Sequence, residues 1–211
     1  MHPLVFDSIY NVLKLFVMSL LKFHPRNVVL LLIVVVVAGL RLASFSGIGP
    51  LTLFTPVGAM ALFGGAYFKG WITPFLLPLM TLFISDVIVS FTIYPELRVG
   101  LLYSGWYWTY AAFALITIAG KFIIRNVNIK NMVIAVLTST VIHWLVSDLG
   151  LCIQENQFSA GLYLEKLGTA IPYELRFLAG TALYSGIMFG LFEFLSKKYP
   201  SLHFRVERSS L

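Results

Sequence analysis

The sequence predicts an all-α integral membrane protein built as a bundle of six transmembrane helices. Apolar residues make up 59% of the 211 residues and charged residues only 11%, and the mean hydropathy is +0.88. A soluble domain of this length needs about a quarter of its residues charged to cover its surface. Because this chain lacks them, lipid must solvate much of its surface.

Six apolar stretches supply the predicted spans, since each approaches or exceeds the roughly 20 residues that a helix needs to cross a bilayer. They cover residues 27–45, 51–68, 71–92, 100–120, 131–151 and 176–195. Pro56, Pro74 and Pro78 lie inside these stretches, where they are expected to kink the helices. The long connection over residues 152–174 is predicted to be an outer loop, either passive or part of a binding site.

The chain divides into an N-terminal amphipathic segment (residues 1–26), the six-helix domain (27–196) and a basic cytoplasmic tail (197–211). Asp7, Asn11 and Lys14 interrupt the apolar N-terminal segment. We therefore expect an amphipathic helix that lies on the inner surface of the membrane. The alternative is a seventh span, which would place the N-terminus outside.

The distribution of basic residues predicts the topology. Of the 15 Lys and Arg residues, 11 fall on one side of the predicted membrane and 4 on the other. Basic residues near span ends favour the cytoplasm, so both termini are expected there. The net charge of +6 then reflects topology, and no nucleic-acid partner is predicted.

Ionisable side chains inside the predicted spans are the candidate functional residues, because they are costly in lipid and tend to mark sites. Asp86 and Ser90 lie one turn apart in the outer half of the third span. His143 and Asp148 lie on neighbouring faces of the fifth span. The alternatives are structural: Asp86 caps another helix or pairs with Arg41, and His143 is a packing residue.

We predict that a solute-binding pocket opens in the outer half of the bundle. Its expected binding residues are Asp86, Arg41, Thr55, His143, Asp148, Trp106 and Ser90. Trp106 and the connection 152–174 are expected to close the pocket. For Trp106 the alternative is a place in the aromatic belt at the membrane interface.

Enzymatic motifs are absent from the sequence. It contains no phosphate-binding glycine loop followed by Lys, no HExxH and no GxSxG. Cys152 is the only cysteine, which excludes an internal disulfide and a multi-cysteine metal site. The chain is therefore predicted to have no enzymatic activity, no catalytic residue, no metal ligand and no cofactor.

A resemblance to a known family begins at the second predicted span, in the run FTPVGAMALFGGAYF at residues 54–68. This run, the later AIPY at residues 170–173 and the ending Phe189-Gly190-x-Phe192-Glu193 resemble a family of small uncharacterised bacterial membrane proteins that are classed as transport proteins. In size and span number, that family is similar to the substrate-binding S components of energy-coupling factor (ECF) transporters.

The resemblance implies an S-component-like bundle whose outward-facing pocket captures a small solute, either vitamin-like or a metal ion. It also implies a membrane coupling subunit with ATPases as a partner. The sequence departs from the S-component pattern at Gly39-x-x-x-Ala43, where an Ala-x-x-x-Ala pair is usual, and at Leu53, where the family has Asn. A transporter that works alone or with another membrane complex therefore stays open.

The second functional hypothesis is a non-transporting scaffold or assembly subunit of a membrane complex. Small residues let transmembrane helices approach closely, and Ala182, Gly186 and Gly190 form such a stripe on the sixth span. This stripe and the basic tail would be the contact surfaces of a scaffold.

Overall fold

The structure is a computed structural model and describes residues 25–44, 54–154, 159–199 and 202. These residues are mostly helical, with α1 (Pro25–Ser44), α2 (Val57–Tyr67), α3 (Thr73–Thr92), α4 (Trp106–Ile123), α5 (Ile129–Gln154) and α6 (Ala160–Lys198). Between α3 and α4 lie a short 3-10 helix (Pro95–Leu97) and the strands β1 (Arg98–Val99) and β2 (Leu102–Tyr103). The two strands pair antiparallel, and Gly100 turns between them with a φ of 76°, which glycine adopts without steric cost.

Within the described residues, three helices are long and apolar enough to cross a membrane. They are α3, α5 as far as Ile153, and α6. The first part of α1, Pro25–Val37, and the whole of α2 are shorter apolar helices. The prediction of a mostly helical chain with apolar, membrane-length helices is therefore confirmed at this level.

The short helix α2 is the centre of the compact unit Val34–Gly190. Ten of its eleven residues are buried, because α3, α4 and α5 all pack against it. Glycines make the crossing with α4 close: a Cβ added at Gly65 would overlap the backbone carbonyl of Thr117. On the other side of the same crossing, a Cβ at Gly120 would lie 2.6 Å from the carbonyl oxygen of Leu62.

A second compact unit contains the first turns of α1 and the last turns of α6. Leu30, Phe192 and Leu202 are buried in it. The Arg26 guanidinium carbon lies 5.9 Å from the centroid of the Phe192 ring, within the range of a cation–π interaction.

The predicted outer loop over residues 152–174 is wrong for the part that the structure describes. Helix α5 continues to Gln154, and α6 already begins at Ala160, well before the predicted start of the sixth span at residue 176. The less exposed positions 163, 166, 167, 170, 174 and 177 recur every three or four residues, as on one face of a helix. Glu165, Lys166 and Glu174 lower the local hydropathy without interrupting this helical pattern.

The fourth predicted span also begins too early. Residues 98–103 form the β-hairpin, and α4 starts only at Trp106. Gly105 precedes α4 with a φ of 76°, a left-handed conformation that stops a helix from extending further back.

The three prolines that were expected to kink two of the predicted spans lie in different settings. Pro56 precedes α2, and Pro74 lies in the first turn of α3, where a missing N–H has no helical partner to lose. Pro78 inside α3 and Pro172 inside α6 each remove one backbone hydrogen bond.

Residues 1–24 of the predicted amphipathic segment lie outside the described residues, as does most of the predicted basic tail.

Candidate functional site

A cavity of about 530 Å³ lies between the start of α4, the second half of α5 and the first half of α6. This volume is in the range of about 300–1,000 Å³ that is typical of small-molecule pockets. The residues that line it are Tyr103, Ser104, Gly105, Trp108 and Thr109 at the start of α4, His143, Ser147, Asp148, Gly150 and Leu151 on α5, and Lys166, Thr169, Ala170, Tyr173 and Glu174 on α6.

A histidine–carboxylate pair joins α5 and α6 at this cavity. His143 Nδ1 lies 2.8 Å from Glu174 Oε1. The imidazole stacks on Phe177, with 4.3 Å between ring centroids and 14° between planes, and the Phe113 ring lies 5.5 Å away on the α4 side. His143 therefore packs between aromatic rings and also lines the cavity, with its Nδ1 directed at the carboxylate.

Three buried polar atoms of the cavity-lining residues have no hydrogen-bond partner among the residues that the structure describes. They are Asp148 Oδ2, Glu174 Oε2 and the indole Nε1 of Trp108. Asp148 and Glu174 are each only 7% exposed. Since buried polar groups nearly always have a partner in folded proteins, each such atom calls for water or a ligand. All three belong to residues of the same cavity.

Side chain to backbone hydrogen bonds hold α6 along α5. Trp144 Nε1 donates to the Leu167 carbonyl at 3.1 Å, and the Tyr163 hydroxyl donates to the Leu145 carbonyl at 2.9 Å. These bonds hold the first half of α6 beside the second half of α5, where Glu174 meets His143.

A glycine on α5 makes room for the indole of α4. A Cβ added at Gly150 would overlap the side chain of Trp108, so no larger residue fits there without moving the indole. Gly150 thereby determines how closely Trp108 approaches α5 in the wall of the cavity.

The structure brings two of the seven predicted binding residues, His143 and Asp148, into the cavity. Asp86 does not line it. Its Oδ2 instead accepts a hydrogen bond of 3.2 Å from the Tyr110 hydroxyl. Ser90 is buried on the same helix and also lies outside the cavity lining.

Two other predicted binding residues, Trp106 and Thr55, are also absent from the described lining of the cavity. Trp106 packs edge to face against Tyr110, with 5.1 Å between ring centroids. Thr55 precedes α2, and its carbonyl oxygen would lie 2.8 Å from a Cβ added at Gly180 of α6. Arg41 lies in α1, and its side chain is outside the described part of the chain.

Among the cavity residues that were not predicted as binding residues, Glu174 and Lys166 contribute charged groups and Trp108 contributes an N–H donor. Glu174 and Lys166 fall in the segment that was predicted to be a loop. The signal that could have found Glu174 is the helical spacing of positions 163, 167, 170, 174 and 177, which places it on the same face as the apolar residues.

The wall of the cavity is chemically mixed, with a few polar groups among apolar ones. It offers two carboxylates, an imidazole, a Lys ammonium and an indole N–H among aromatic and aliphatic groups. Among the described residues, no group of three His, Cys, Asp or Glu side chains is arranged to hold a metal ion.

Fold and site together define a mostly helical protein with membrane-length apolar helices and a polar cavity between three of its helices. The chain belongs to a family of unknown function (DUF6580), which matches it over residues 21–202. No curated protein and no solved structure matches the chain.

Proposed function

We propose that this chain is a multi-pass protein of the bacterial inner membrane that binds a small solute as a transport protein or transporter subunit. In this proposal it forms a six-span, S-component-like bundle, and both termini are cytoplasmic. The single observation that carries the proposal is the cavity whose lining residues hold three buried, unpartnered polar atoms.

The energetic argument rests on the cost of these atoms. A buried polar group without a partner costs about 1–3 kcal/mol, and more if it is charged. An apolar replacement of similar shape would avoid this penalty. We therefore infer that these carboxylates serve a function at the cavity, and the binding of a polar solute would give their unpartnered atoms a partner.

The location of the cavity agrees with solute capture from outside. Its lining residues come from segments 103–109, 143–151 and 166–174, which the charge distribution assigns to the non-cytoplasmic half of the protein. A solute entering from that side would exchange its water for the carboxylates and the indole N–H. The pocket would then hold a polar molecule inside a bundle that lipid surrounds.

The resemblance to ECF S components supports the same reading. Those proteins present a pocket on the outer side for a vitamin-like molecule or a metal ion, and they work with a coupling subunit and ATPases. Because the first helix carries Gly39-x-x-x-Ala43 where those proteins have two alanines, the proposal includes a transporter that works alone or with another membrane complex.

Native mass spectrometry of the protein released from mild detergent tests the proposal. We expect a retained small molecule on the wild type that is lost in Asp148→Asn and in Glu174→Gln. The matched control is Glu165→Gln, which removes the same charge from an exposed position of α6 and should keep the adduct. The absence of any saturable small molecule on folded wild-type protein would reject the proposal.

A scaffold subunit is the second candidate, and one observation favours it. Ala182, Gly186 and Gly190 are exposed along one stripe of α6, and a Cβ at either glycine would meet open space. Small exposed residues suit close contact with another transmembrane helix. Stoichiometric co-purification with a membrane partner that is lost in Gly186→Leu, with no bound solute, would favour the scaffold over the transporter.

A further inference from the structure

The unpartnered atoms of the cavity specify what a ligand must offer. Asp148 Oδ2 and Glu174 Oε2 are hydrogen-bond acceptors in the ionised carboxylates, whereas Trp108 Nε1 is a donor only. The other oxygen of Glu174 is already used by His143. A complementary ligand therefore brings N–H or O–H donors to two carboxylate oxygens and one acceptor to the indole.

The charges of the cavity favour a positive donor group. With a neutral imidazole, the ionisable side chains of the lining (Asp148, Glu174, Lys166 and His143) sum to a net charge of −1. The carboxylates of Asp148 and Glu174 repel each other, while His143, when protonated, and Lys166 attract Asp148. A cation that contacts both carboxylates would reduce this repulsion, and its hydrogen bonds would be stronger than those of a neutral donor.

The walls of the cavity favour an organic cation over a bare metal ion. Tyr103, Trp108 and Tyr173 present aromatic rings in the lining, and aromatic faces attract ammonium groups. The volume of about 530 Å³ suits a molecule of many atoms. A metal ion would need a closely placed ligand group, and the described residues contain no such group of three His, Cys, Asp or Glu side chains.

We propose that the cavity binds a small organic cation: a protonated amine that contacts Asp148 and Glu174, with an apolar or aromatic body and an oxygen acceptor for the Trp108 indole. This inference rests on the proposed function, because it names the solute class of the same site. It goes further in excluding anions, neutral solutes and bare metal ions as the preferred ligand.

Equilibrium dialysis separates the two proposals. The purified full-length protein in lipid nanodiscs is dialysed against the low-molecular-weight extract of the host cells, and compounds enriched on the protein side are identified by mass and charge. Enrichment of an amine supports the cation class. Enrichment of an anion, a neutral molecule or a metal overturns the class but leaves solute binding standing. No enrichment over empty nanodiscs rejects both.

Three matched probes measure the charge preference directly. Phenylethanolamine, styrene glycol and mandelate share one skeleton and carry an ammonium, a hydroxyl and a carboxylate, respectively. We expect phenylethanolamine to bind at least about tenfold more tightly than styrene glycol, because charge-assisted hydrogen bonds exceed neutral ones. In Asp148→Asn and in Glu174→Gln, the affinity for phenylethanolamine relative to styrene glycol should fall towards one. Glu165→Gln should keep the wild-type ratio. Equal binding of the three probes to the wild type overturns the proposal.

A third variant tests the proposal even if the two carboxylate variants fail to fold. Trp108→Phe keeps an aromatic wall while it removes the indole N–H and part of the ring volume. The wild type should prefer phenylethanolamine to phenethylamine, which lacks the hydroxyl, and Trp108→Phe should abolish that preference while keeping the preference for charge. A hydroxyl preference that survives in Trp108→Phe contradicts the role assigned to the indole.

Discussion

The contact between His143 and Glu174 predicts a measurable coupling between α5 and α6. The two side chains lie 2.8 Å apart, and Glu174 is only 7% exposed. A hydrogen bond to a charged group contributes about 1.5–3 kcal/mol, so the pair should show a coupling of that size in a double-mutant cycle. His143→Phe keeps a ring against Phe177, and Glu174→Leu removes the carboxylate without adding a donor.

The chain provides its own probe for this measurement. Cys152 is the only cysteine and is fully buried near the end of α5, so a maleimide reacts with it only after local opening. The ratio of labelling rates between variants gives the change in the free energy of opening. Each variant gives a fold-change in labelling rate relative to the wild type. We expect the fold-change of the double variant to differ by a factor of about 10 to 150 from the product of the two single fold-changes.

A control cycle uses the same histidine and an acid that the structure leaves exposed. His143→Phe combined with Glu165→Leu should be additive within about 0.5 kcal/mol, as expected for sites without a shared partner. If the cycle of His143 with Glu174 also gave less than about 0.5 kcal/mol, the pair would not hold the two helices together, and the description of the cavity wall would be incorrect.

Three further predictions concern close packing and the second polar contact. Gly150→Ala should lower the free energy of unfolding by about 1–3 kcal/mol and weaken solute retention, because its Cβ would overlap the Trp108 indole. The control is Gly161→Ala, whose Cβ would meet open space. When both variants are compared with the wild type by thermal unfolding, Gly161→Ala should cause no loss of stability. Gly65→Ala should cost at least as much as Gly150→Ala, since its Cβ meets backbone that cannot rotate away. Tyr110→Phe removes the hydroxyl that donates to a carboxylate of α3 and should cost about 1 kcal/mol, measured by chemical unfolding in detergent; an unchanged midpoint would show that this bond does not stabilise the fold.

The positions of most helices could be read from the sequence because apolar content marks them directly. The stretch 71–92 corresponds to Thr73–Thr92, and the stretch 131–151 lies inside Ile129–Gln154. A run of apolar side chains that lipid or other helices must solvate is a local property, so no knowledge of the tertiary structure is needed. The same method failed for the first half of α6, because charged side chains there lie on a helix that remains regular.

The site was only partly predictable because pairing between helices is not a local property. Helical periodicity placed His143 and Asp148 on neighbouring faces of the fifth predicted span, and both line the cavity. Nothing in the spacing of residues 143 and 174 indicates that their side chains meet across two helices. The hydrogen bond from Tyr110 to Asp86 was missed for the same reason, so Asp86 looked available for a solute.

Pro172 has a consequence for how the cavity could adapt to its contents. It lies inside α6, two residues before Glu174, and its ring nitrogen has no hydrogen to donate to the carbonyl of Gly168. One hydrogen bond worth about 1 kcal/mol is therefore already missing from the turn that carries Glu174, one of the two carboxylates of the cavity. Bending α6 at this turn breaks fewer backbone hydrogen bonds than bending it at a turn in which all of them are present. We therefore expect α6 to bend most easily beside Glu174, where the helix borders the cavity.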